Sequence, residues 1–451
     1  MSELLDRARR ILESRRGGEE IEVYLSRSAE TDVRVYQGAI ENLSRASSEG
    51  VGVRVLLEGS HGARVGTAWV GSLEESAIHH ALEQARDNAS FASEDEFVAF
   101  ARPDGVAPVS LELSDPAVAS TPTEEKIQIA LELERLVRHG DPRIRQVKAA
   151  NYSDYVGEAA IVSTVGIAAT YTRSGAHASV EAIASDGCSD QTGWGLSVGR
   201  APSDLNVAEA ANDAITRSTR MLGAVKPASM KTTAVFDPRT AAALFSIIGG
   251  ALSGEAVVRG RSFFGNRIGE IVASPLFTLT DDPTDPRQFG ASAIDGEGLA
   301  CRPNVLVERG RLRAFVYDTV SARRAGTRST GSAIRGGIAG SPSAGCRALQ
   351  LKSGDGDQID LLRRIGTGIY VESLTGVHSG VNLVSGDFSV GVTGCMIRNG
   401  ERAEPIREVT VASTLQRMLL DVVGVANDVQ WLPGSAAGQS IAIDDIAVSG
   451  S

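Results

Sequence analysis

The first half of the chain mixes helical and strand-like patterns of hydrophobic residues. Apolar side chains recur at every third and fourth position, which predicts amphipathic helices, over residues 4–12, 73–89, 127–137 and 207–222. Apolar and polar side chains alternate, which predicts strands joined by turns, over residues 21–70, where four or five strands are expected, and over residues 144–198. This pattern indicates a sheet with flanking helices.

The second half is dominated by strand-like patterns. Thr232–Phe236 is typical of a strand, and Asp237 and Pro238 directly after it predict the start of a helix. An aspartate accepts hydrogen bonds from the free N–H groups of a first helical turn, and proline fits the first helical position. From Ile271 onward, short alternating runs are broken by Gly, Asn and Asp. Two short helices are expected within this region, near residues 319–325 and 358–365.

The chain of 451 residues is long enough for two or three domains. The stretch Gly223–Lys231 separates the mixed half from the strand-rich half. We therefore predict an α+β protein with an N-terminal α+β domain, residues 1–225, and a C-terminal domain, residues 226–451. The first is expected to hold an antiparallel sheet with flanking helices. The second is expected to be β-dominated, barrel- or sandwich-like, with a few helices.

The composition narrows the classes of function. Hydrophobic residues form 42% and charged residues 22% of the chain, which is typical of a folded globular protein. The net charge of -11 repels a phosphate backbone, so nucleic acid is not expected as a ligand. No signal peptide or membrane-spanning stretch is expected from the charged start and the scattered apolar residues. Reduced thiols in a cytoplasmic protein are expected at the four scattered cysteines, Cys188, Cys301, Cys346 and Cys395.

Two short motifs have the residue types of a functional site without its context. Gly195–Gly199 has the letters of a nucleophile elbow, but its serine lies in an alternating strand pattern, whereas the elbow needs a strand-to-helix turn. Ser353–Asp357 resembles the start of a calcium loop, but Ile359 stands at the third acidic position and no glutamate closes the loop. Asp357 as a helix N-cap explains the same residues. Taken alone, the residues indicate no catalytic centre.

Longer runs over nearly the whole chain carry a family resemblance. The chain resembles the TldD/PmbA family, metallopeptidase-related proteins once called modulators of DNA gyrase. The matching runs lie mainly in the second half and include Val235–Pro238, Arg259–Phe264, Ile268–Glu270, Ile294–Gly298, Gly366–Val371, Ser385–Ser389, Ile397–Glu401 and Val423–Asp428.

The family that the chain resembles contains two kinds of chain, the TldD type and the TldE/PmbA type. TldD-type chains carry a His-Glu-x-x-x-His stretch on a helix of the second half and a cysteine near the C-terminus, and these residues bind zinc. An ungapped count back from Ile268 places Phe245 at the first histidine, Ser246 at the glutamate and Gly250 at the second histidine. The glycine-rich stretch Pro433–Ser440 has no cysteine. These positions are typical of the TldE/PmbA type.

The residues at these positions cannot replace the family's metal site. Phenylalanine and glycine offer no ligand atom, and serine is a poor substitute for a carboxylate base, whereas a zinc site needs about three protein ligands. We expect no catalytic residue, metal or cofactor in this chain. The helix is instead expected to present an apolar face to a core or an interface, formed by Leu244, Phe245, Ile248 and Leu252.

The resemblance therefore implies a non-catalytic TldE/PmbA-like subunit. Its partner would be a TldD-type zinc metallopeptidase, with zinc in the partner, and hydrolase activity would belong only to the complex. The pair would degrade or mature unfolded or modified peptides. Whether the chain forms a homodimer without its partner stays open.

Two alternatives remain at this point. One is a self-sufficient homodimeric hydrolase that uses His378, Ser379 and Asp387 of the glycine-rich second half, although neighbouring side chains on an extended segment point to opposite faces. The other is a regulatory binding protein of the gyrase-modulator kind, as the older family name suggests.

Overall fold

The computed structural model describes residues 3–450. The helices are α1 (Glu3–Leu12), α2 (Glu75–Phe91), α3 (Ala117–Ser120), α4 (Thr123–Gly140), α5 (Val207–Arg220), α6 (Pro238–Ala251), α7 (Gly254–Val258), α8 (Thr319–Arg324), α9 (Gln358–Ile365), α10 (Val377–Gly380) and α11 (Leu415–Leu420). The strands are β1 (Glu19–Tyr36), β2 (Ala39–Glu58), β3 (Ala63–Val70), β4 (Ile144–Ser163), β5 (Ala168–Ser185), β6 (Asp190–Gly199), β7 (Met230–Phe236), β8 (Leu279–Asp281), β9 (Asn304–Glu308), β10 (Arg311–Leu312), β11 (Ala333–Ile334), β12 (Ser343–Ala344), β13 (Leu349–Leu351), β14 (Gly368–Thr375), β15 (Asp387–Arg398), β16 (Glu401–Thr414), β17 (Val422–Val425) and β18 (Ile441–Ser449).

The chain forms two compact units. The first unit contains the chain up to Arg220 together with two later segments, Ser292–Cys301 and Asp318–Ser343. The second contains Met221–Ala291, Arg302–Tyr317 and the chain from Ala344 onward. The predicted division into domains 1–225 and 226–451 stays a prediction.

The first unit is built on an antiparallel sheet of six strands in the order β3-β2-β1-β4-β5-β6. Apolar side chains of α1 and α2 pack on β1–β3, and those of α4 and α5 pack on β4 and β5. The predicted sheet with flanking helices is therefore confirmed. The expectation of four or five short strands over residues 21–70 is wrong, because β1 and β2 are 18 and 20 residues long and stay paired through their polar middle parts.

The second unit is built on a sheet that closes into a barrel. Its strand order is β16-β15-β14-β7-β18-β17, and an additional pairing of β16 with β18 closes it. Strands β7 and β14 are parallel, and the other pairs are antiparallel. A smaller sheet, in the order β10-β9-β8-β13, belongs to the same unit. The predicted α+β class with a β-dominated, barrel-like second half is confirmed.

One large hydrophobic core fills the second unit and places helix α6. Alternate residues of the barrel strands, such as Phe236 on β7 and Val371 on β14, lie in this core with the apolar side of α6. None of the helices between Glu3 and Gly450 is long and apolar enough to cross a membrane.

Candidate functional site

Helix α6 begins where strand β7 ends, and its first turn is fastened to strand β14. The Asp237 carboxylate accepts a hydrogen bond from the Thr240 N–H at 2.8 Å, which confirms the predicted N-cap. The Asp237 N–H and the Thr240 hydroxyl both donate to the Val371 carbonyl, at 3.0 and 3.2 Å. This anchoring fixes which side of α6 faces the core.

The core side of α6 is apolar and fully packed. Phe245 has 0% exposure, and its ring meets the Phe277 ring edge-on with 6.3 Å between centroids. The predicted apolar face is confirmed as a core face, because all four of its members are buried: Leu244, Phe245, Ile248 and Leu252. The position that the ungapped count compares with a first histidine is therefore filled by a buried phenyl ring.

Small residues in the second half of α6, away from Phe245, line a cavity of about 440 Å³. Helix α6 contributes Ser246, Gly249 and Gly250, and α7 with the segment after it forms another wall. The remaining lining residues are Ser253, Glu255, Ala256, Arg259, Arg261, Ala344, Gly345 and Cys346. A Cβ atom on Gly249 would lie 2.5 Å from Leu349 Cδ1, so glycine permits the close approach of the segment that contains Cys346.

The glycine-rich stretch near the C-terminus lies beside this part of α6. The Leu349 N–H donates to the Ser435 carbonyl at 2.8 Å, and the Ala437 N–H donates to the Leu349 carbonyl at 2.9 Å. These bonds place Ser435 Oγ 3.0 Å from Ser246 Oγ. The structure thus joins the two regions that the resemblance compares with a metal site, but it joins them by two hydroxyl groups.

Cys346 is the thiol of the cavity. Its Sγ lies 3.7 Å from the Gly249 carbonyl, to which it donates, and only 8% of the residue is exposed. Burial, followed by the charge of Asp281, raises the pKa of the Cys346 thiol well above its ordinary value. A thiol that stays protonated is a weak nucleophile and a weak metal ligand.

Asp281 is a second buried titratable group of this region. Its Oδ1 accepts hydrogen bonds from the N–H groups of Arg347 and Ala348, at 2.9 and 2.7 Å. Its Oδ2 has no hydrogen-bond partner among the described residues. Burial raises the pKa of Asp281 to about 6, although the two N–H groups act in the opposite direction.

Comparisons with known proteins identify the family. Residues 21–89, 116–222 and 229–450 match the PmbA/TldA metallopeptidase domain 1, central domain and C-terminal domain, respectively. The chain belongs to the PmbA/TldD family. Metalloprotease PmbA from Escherichia coli O157:H7 is 27% identical to it over 438 residues, which cover 95% of this chain and 92% of the relative.

Two solved structures share the fold of this PmbA/TldD chain. A protein described as a modulator of a DNA gyrase, from Thermotoga maritima, superposes with a TM-score of 0.88 at 23% identity and covers 98% of this chain and 99% of its own. TldE from Thermococcus kodakarensis superposes with a TM-score of 0.86 at 23% identity and covers 96% and 97%. The predicted family is therefore confirmed, and the family is metallopeptidase-like.

The residues around the cavity do not fit the zinc ion that a metallopeptidase family implies. Zinc is bound by imidazole, thiolate or carboxylate groups. Of the candidate donors that line the cavity, Cys346 is buried as a thiol, and the Glu255 carboxylate is paired with Arg259 on its own helical turn. Among residues 3–450, no group of three or more His, Cys, Asp and Glu side chains is placed to hold a metal ion.

The alternative hydrolase set is not assembled into a catalytic arrangement. His378 and Ser379 lie on the short helix α10 and not on an extended segment, and the Ser379 hydroxyl donates to the Gly376 carbonyl at 3.2 Å. The Asp387 carboxylate instead accepts from the Ser385 hydroxyl at 2.6 Å. Within the described part of the chain, no hydrogen bond joins His378, Ser379 and Asp387 to one another.

The other two motifs have structural roles. Ser197 of the elbow-like stretch lies on β6, and its Oγ accepts from the Asn206 N–H at 2.8 Å. Asp357 caps α9 by accepting from the Asp360 N–H at 2.9 Å, as predicted.

The acidic pair of the family motif Ile294–Gly298 also serves the fold, in the first unit. Asp295 accepts from the N–H groups of Glu297, Leu299 and Ala333, and the Glu297 carboxylate accepts from the N–H and hydroxyl of Thr319. Burial and the neighbouring carboxylates raise the pKa of Glu297 to about 8.

Two cavity residues, Cys346 and Arg261, and Ser435 beside α6 were not recognised as neighbours from the sequence. Cys346 and Ser435 are about 100 and 190 positions from α6 along the chain, and Arg261 was seen only as part of a family motif. No local pattern links positions so far apart. Only the matching family runs on both sides of the chain indicated that α6 and the C-terminal stretch belong together.

Proposed function

We propose that this chain is the non-catalytic, TldE/PmbA-type subunit of a cytoplasmic heteromeric peptidase whose TldD-type partner holds the zinc. The observation that carries this proposal is the complete burial of Phe245 against Phe277. A side chain at that position belongs to the core, so even a substituted ligand there would be surrounded by hydrocarbon. Desolvation disfavours charged and metal-binding groups in such surroundings.

The chemistry of the cavity supports the same proposal. Serine hydroxyl groups and a protonated thiol are not activated by a neighbouring base among the lining residues. General base catalysis needs an acceptor within hydrogen-bond reach of the proton that is removed. In this proposal the cavity binds a peptide without cleaving it, and cleavage belongs to the partner.

In this proposal the chain supplies binding surface for extended, unfolded or modified peptides. Backbone groups at exposed edges pair with any extended peptide regardless of its sequence. Such a surface would raise the fraction of time that a peptide spends near the partner's zinc.

A reconstitution experiment tests the proposal. The purified chain, the TldD-type homologue of the same genome and their mixture are compared for cleavage of an unfolded peptide. We expect no cleavage by this chain alone and faster cleavage by the mixture than by the homologue alone, together with co-elution of both chains. Equal cleavage by the homologue alone would count against the proposal, and chelator-sensitive cleavage by this chain alone would favour the self-sufficient hydrolase.

A further inference from the structure

The cavity beside α6 carries one cationic side chain that is not neutralised. Arg259 and Arg261 both line it. Arg259 is paired with Glu255, whereas the exposed guanidinium of Arg261 has no hydrogen-bond or ion-pair partner among residues 3–450. The chain as a whole has a net charge of -11, so its long-range field does not attract anions, and an anion bound here would depend on direct contact with this side chain.

A segment beside α6 offers backbone groups for an extended ligand. Ala344–Cys346 lines the cavity, and the N–H and C=O groups of Gly345 and Cys346 make no backbone hydrogen bond within the described part of the chain. Neighbouring Ala344 differs, because its carbonyl accepts from the Ser253 hydroxyl at 2.9 Å. Unpaired backbone groups beside a cavity are suited to pairing with a peptide main chain.

We propose that this cavity binds the C-terminal end of an extended peptide, with Arg261 donating to its terminal carboxylate. The volume of about 440 Å³ lies within the range of small-ligand pockets. A guanidinium donates two parallel hydrogen bonds to a carboxylate, which adds direction as well as charge to the contact. The small residues of α6, Ser246, Gly249 and Gly250, leave room for the last peptide residues. This inference deepens the proposed function and rests on its peptide-binding part.

Binding of labelled peptides to the full chain, without a partner, tests the inference. The same unstructured peptide is prepared with a free C-terminal carboxylate, with a C-terminal amide, and as an amide that ends in glutamate. We expect the free acid to bind about tenfold or more tightly than either amide, because the plain amide has no carboxylate for Arg261 and the glutamate amide carries its carboxylate on a side chain, away from the end of the main chain. Equal binding of the free acid and the glutamate amide would assign the site to any carboxylate and overturn the C-terminal specificity.

Two variants locate the site, and a third is their control. Arg261→Gln is expected to bind the free acid and the amide equally. Gly250→Leu is expected to abolish binding of all three peptides, because Gly250 lines the cavity and a leucine side chain at this position takes up space that the peptide needs. Arg363→Gln removes a cation from α9, where the side chain is 70% exposed and outside the cavity, and is expected to leave binding unchanged.

The results separate this inference from the proposed function. A free acid and an amide that bind equally to the unmodified chain, or a preference that survives in Arg261→Gln, would overturn the carboxylate contact. Binding that survives in Gly250→Leu would overturn the location. Because no partner is present, these outcomes do not depend on whether the chain stimulates a TldD-type enzyme, and failed stimulation with intact carboxylate preference would reject only the subunit role.

Discussion

The hydroxyl oxygens of Ser246 and Ser435 lie 3.0 Å apart and join helix α6 to the C-terminal glycine-rich stretch. TldD-type chains, as the family resemblance implies, place a glutamate and a cysteine ligand in these two regions. This chain therefore keeps the two regions together but connects them with a neutral hydrogen bond. A neutral pair costs less to desolvate than a carboxylate and a thiolate without their metal.

The Ser246–Ser435 contact is expected to stabilise the fold weakly. Removing either hydroxyl with Ser246→Ala or Ser435→Ala is expected to cost about 1 kcal/mol or less, and the double variant is expected to show a coupling energy of about 0.5–1 kcal/mol. Denaturant unfolding of the four proteins measures this. Ser189, a hydroxyl of the first unit, is a suitable control, since Ser246→Ala and Ser189→Ala should be additive. Full additivity of the Ser246 and Ser435 variants would contradict the contact.

The core position of Phe245 predicts a large loss of stability on truncation. Phe245→Ala is expected to lower the free energy of unfolding by about 3–5 kcal/mol, because it leaves a cavity against Phe277. Phe91, which is 91% exposed, is the matched control, and Phe91→Ala is expected to change stability by less than about 0.5 kcal/mol. Thermal or denaturant unfolding measures both variants. A loss of stability in Phe245→Ala as small as that in Phe91→Ala would contradict the packing of α6 in the core.

The raised pKa of Asp281 predicts a specific pH dependence. Below about pH 4 the Asp281 carboxyl is protonated in both the folded and the unfolded chain, so folding does not have to bury a charge at this position. As the pH rises through about 6 the folded chain must bury a carboxylate, and stability is lost. Asp281→Asn should therefore gain up to about 3 kcal/mol relative to the unmodified protein between about pH 4 and pH 7, while its carbonyl can keep both backbone hydrogen bonds.

Asp285 provides a control of opposite sign for that measurement. The hydrogen bond from Arg287 lowers the pKa of Asp285. The ionised Asp285 carboxylate therefore stabilises the fold above the ordinary pKa of an aspartate, and this stabilisation is lost as the pH falls. Asp285→Asn should thus lose stability relative to the unmodified protein as the pH rises. The same direction for both variants would contradict the assignment at Asp281.

The four thiols are expected to differ sharply in reactivity. Cys188 is exposed and should react rapidly with a thiol reagent at neutral pH, whereas Cys346 should react only after unfolding or at strongly alkaline pH, because burial raises the pKa of its thiol. Mass spectrometry of briefly labelled protein measures this, with Cys188→Ser as the control. Rapid labelling of Cys346 in the folded chain would show an ionised thiol and would reopen its role as a ligand.

The first residue of a helix could be predicted from the sequence where a single side chain caps the helix. Asp237 and Asp357 each bond to an N–H three residues ahead, and both were recognised as N-caps from the sequence alone. The start of α2 has no side-chain cap of this kind. The Ser72 hydroxyl instead accepts from the Glu74 N–H at 3.0 Å, and α2 begins at Glu75.

Features that depend on distant positions were not predictable from local patterns. The polar middle of β1 gives no alternating signal, yet Arg27 and Glu30 pair across to Glu49 and Ala46, so the strand continues. The membership of Ser292–Cys301 in the first unit likewise has no local signal. At the site, the sequence predicted helix α6 and its apolar face. The cavity that α6 forms with Cys346 and Arg261 was not predicted, because it brings together segments that are distant along the chain.

The metal content of the isolated chain shows whether this chain or its TldD-type partner holds the zinc. The chain is purified alone and together with its TldD-type homologue, dialysed against dilute zinc and then against metal-free buffer, and measured by elemental mass spectrometry. We expect no retained zinc in the isolated chain and about one zinc per pair in the complex, since a zinc site needs about three protein ligands and residues 3–450 of this chain bring no such set together. Stoichiometric zinc in the isolated chain, lost on substitution of Ser246, Cys346 or Ser435, would contradict this expectation.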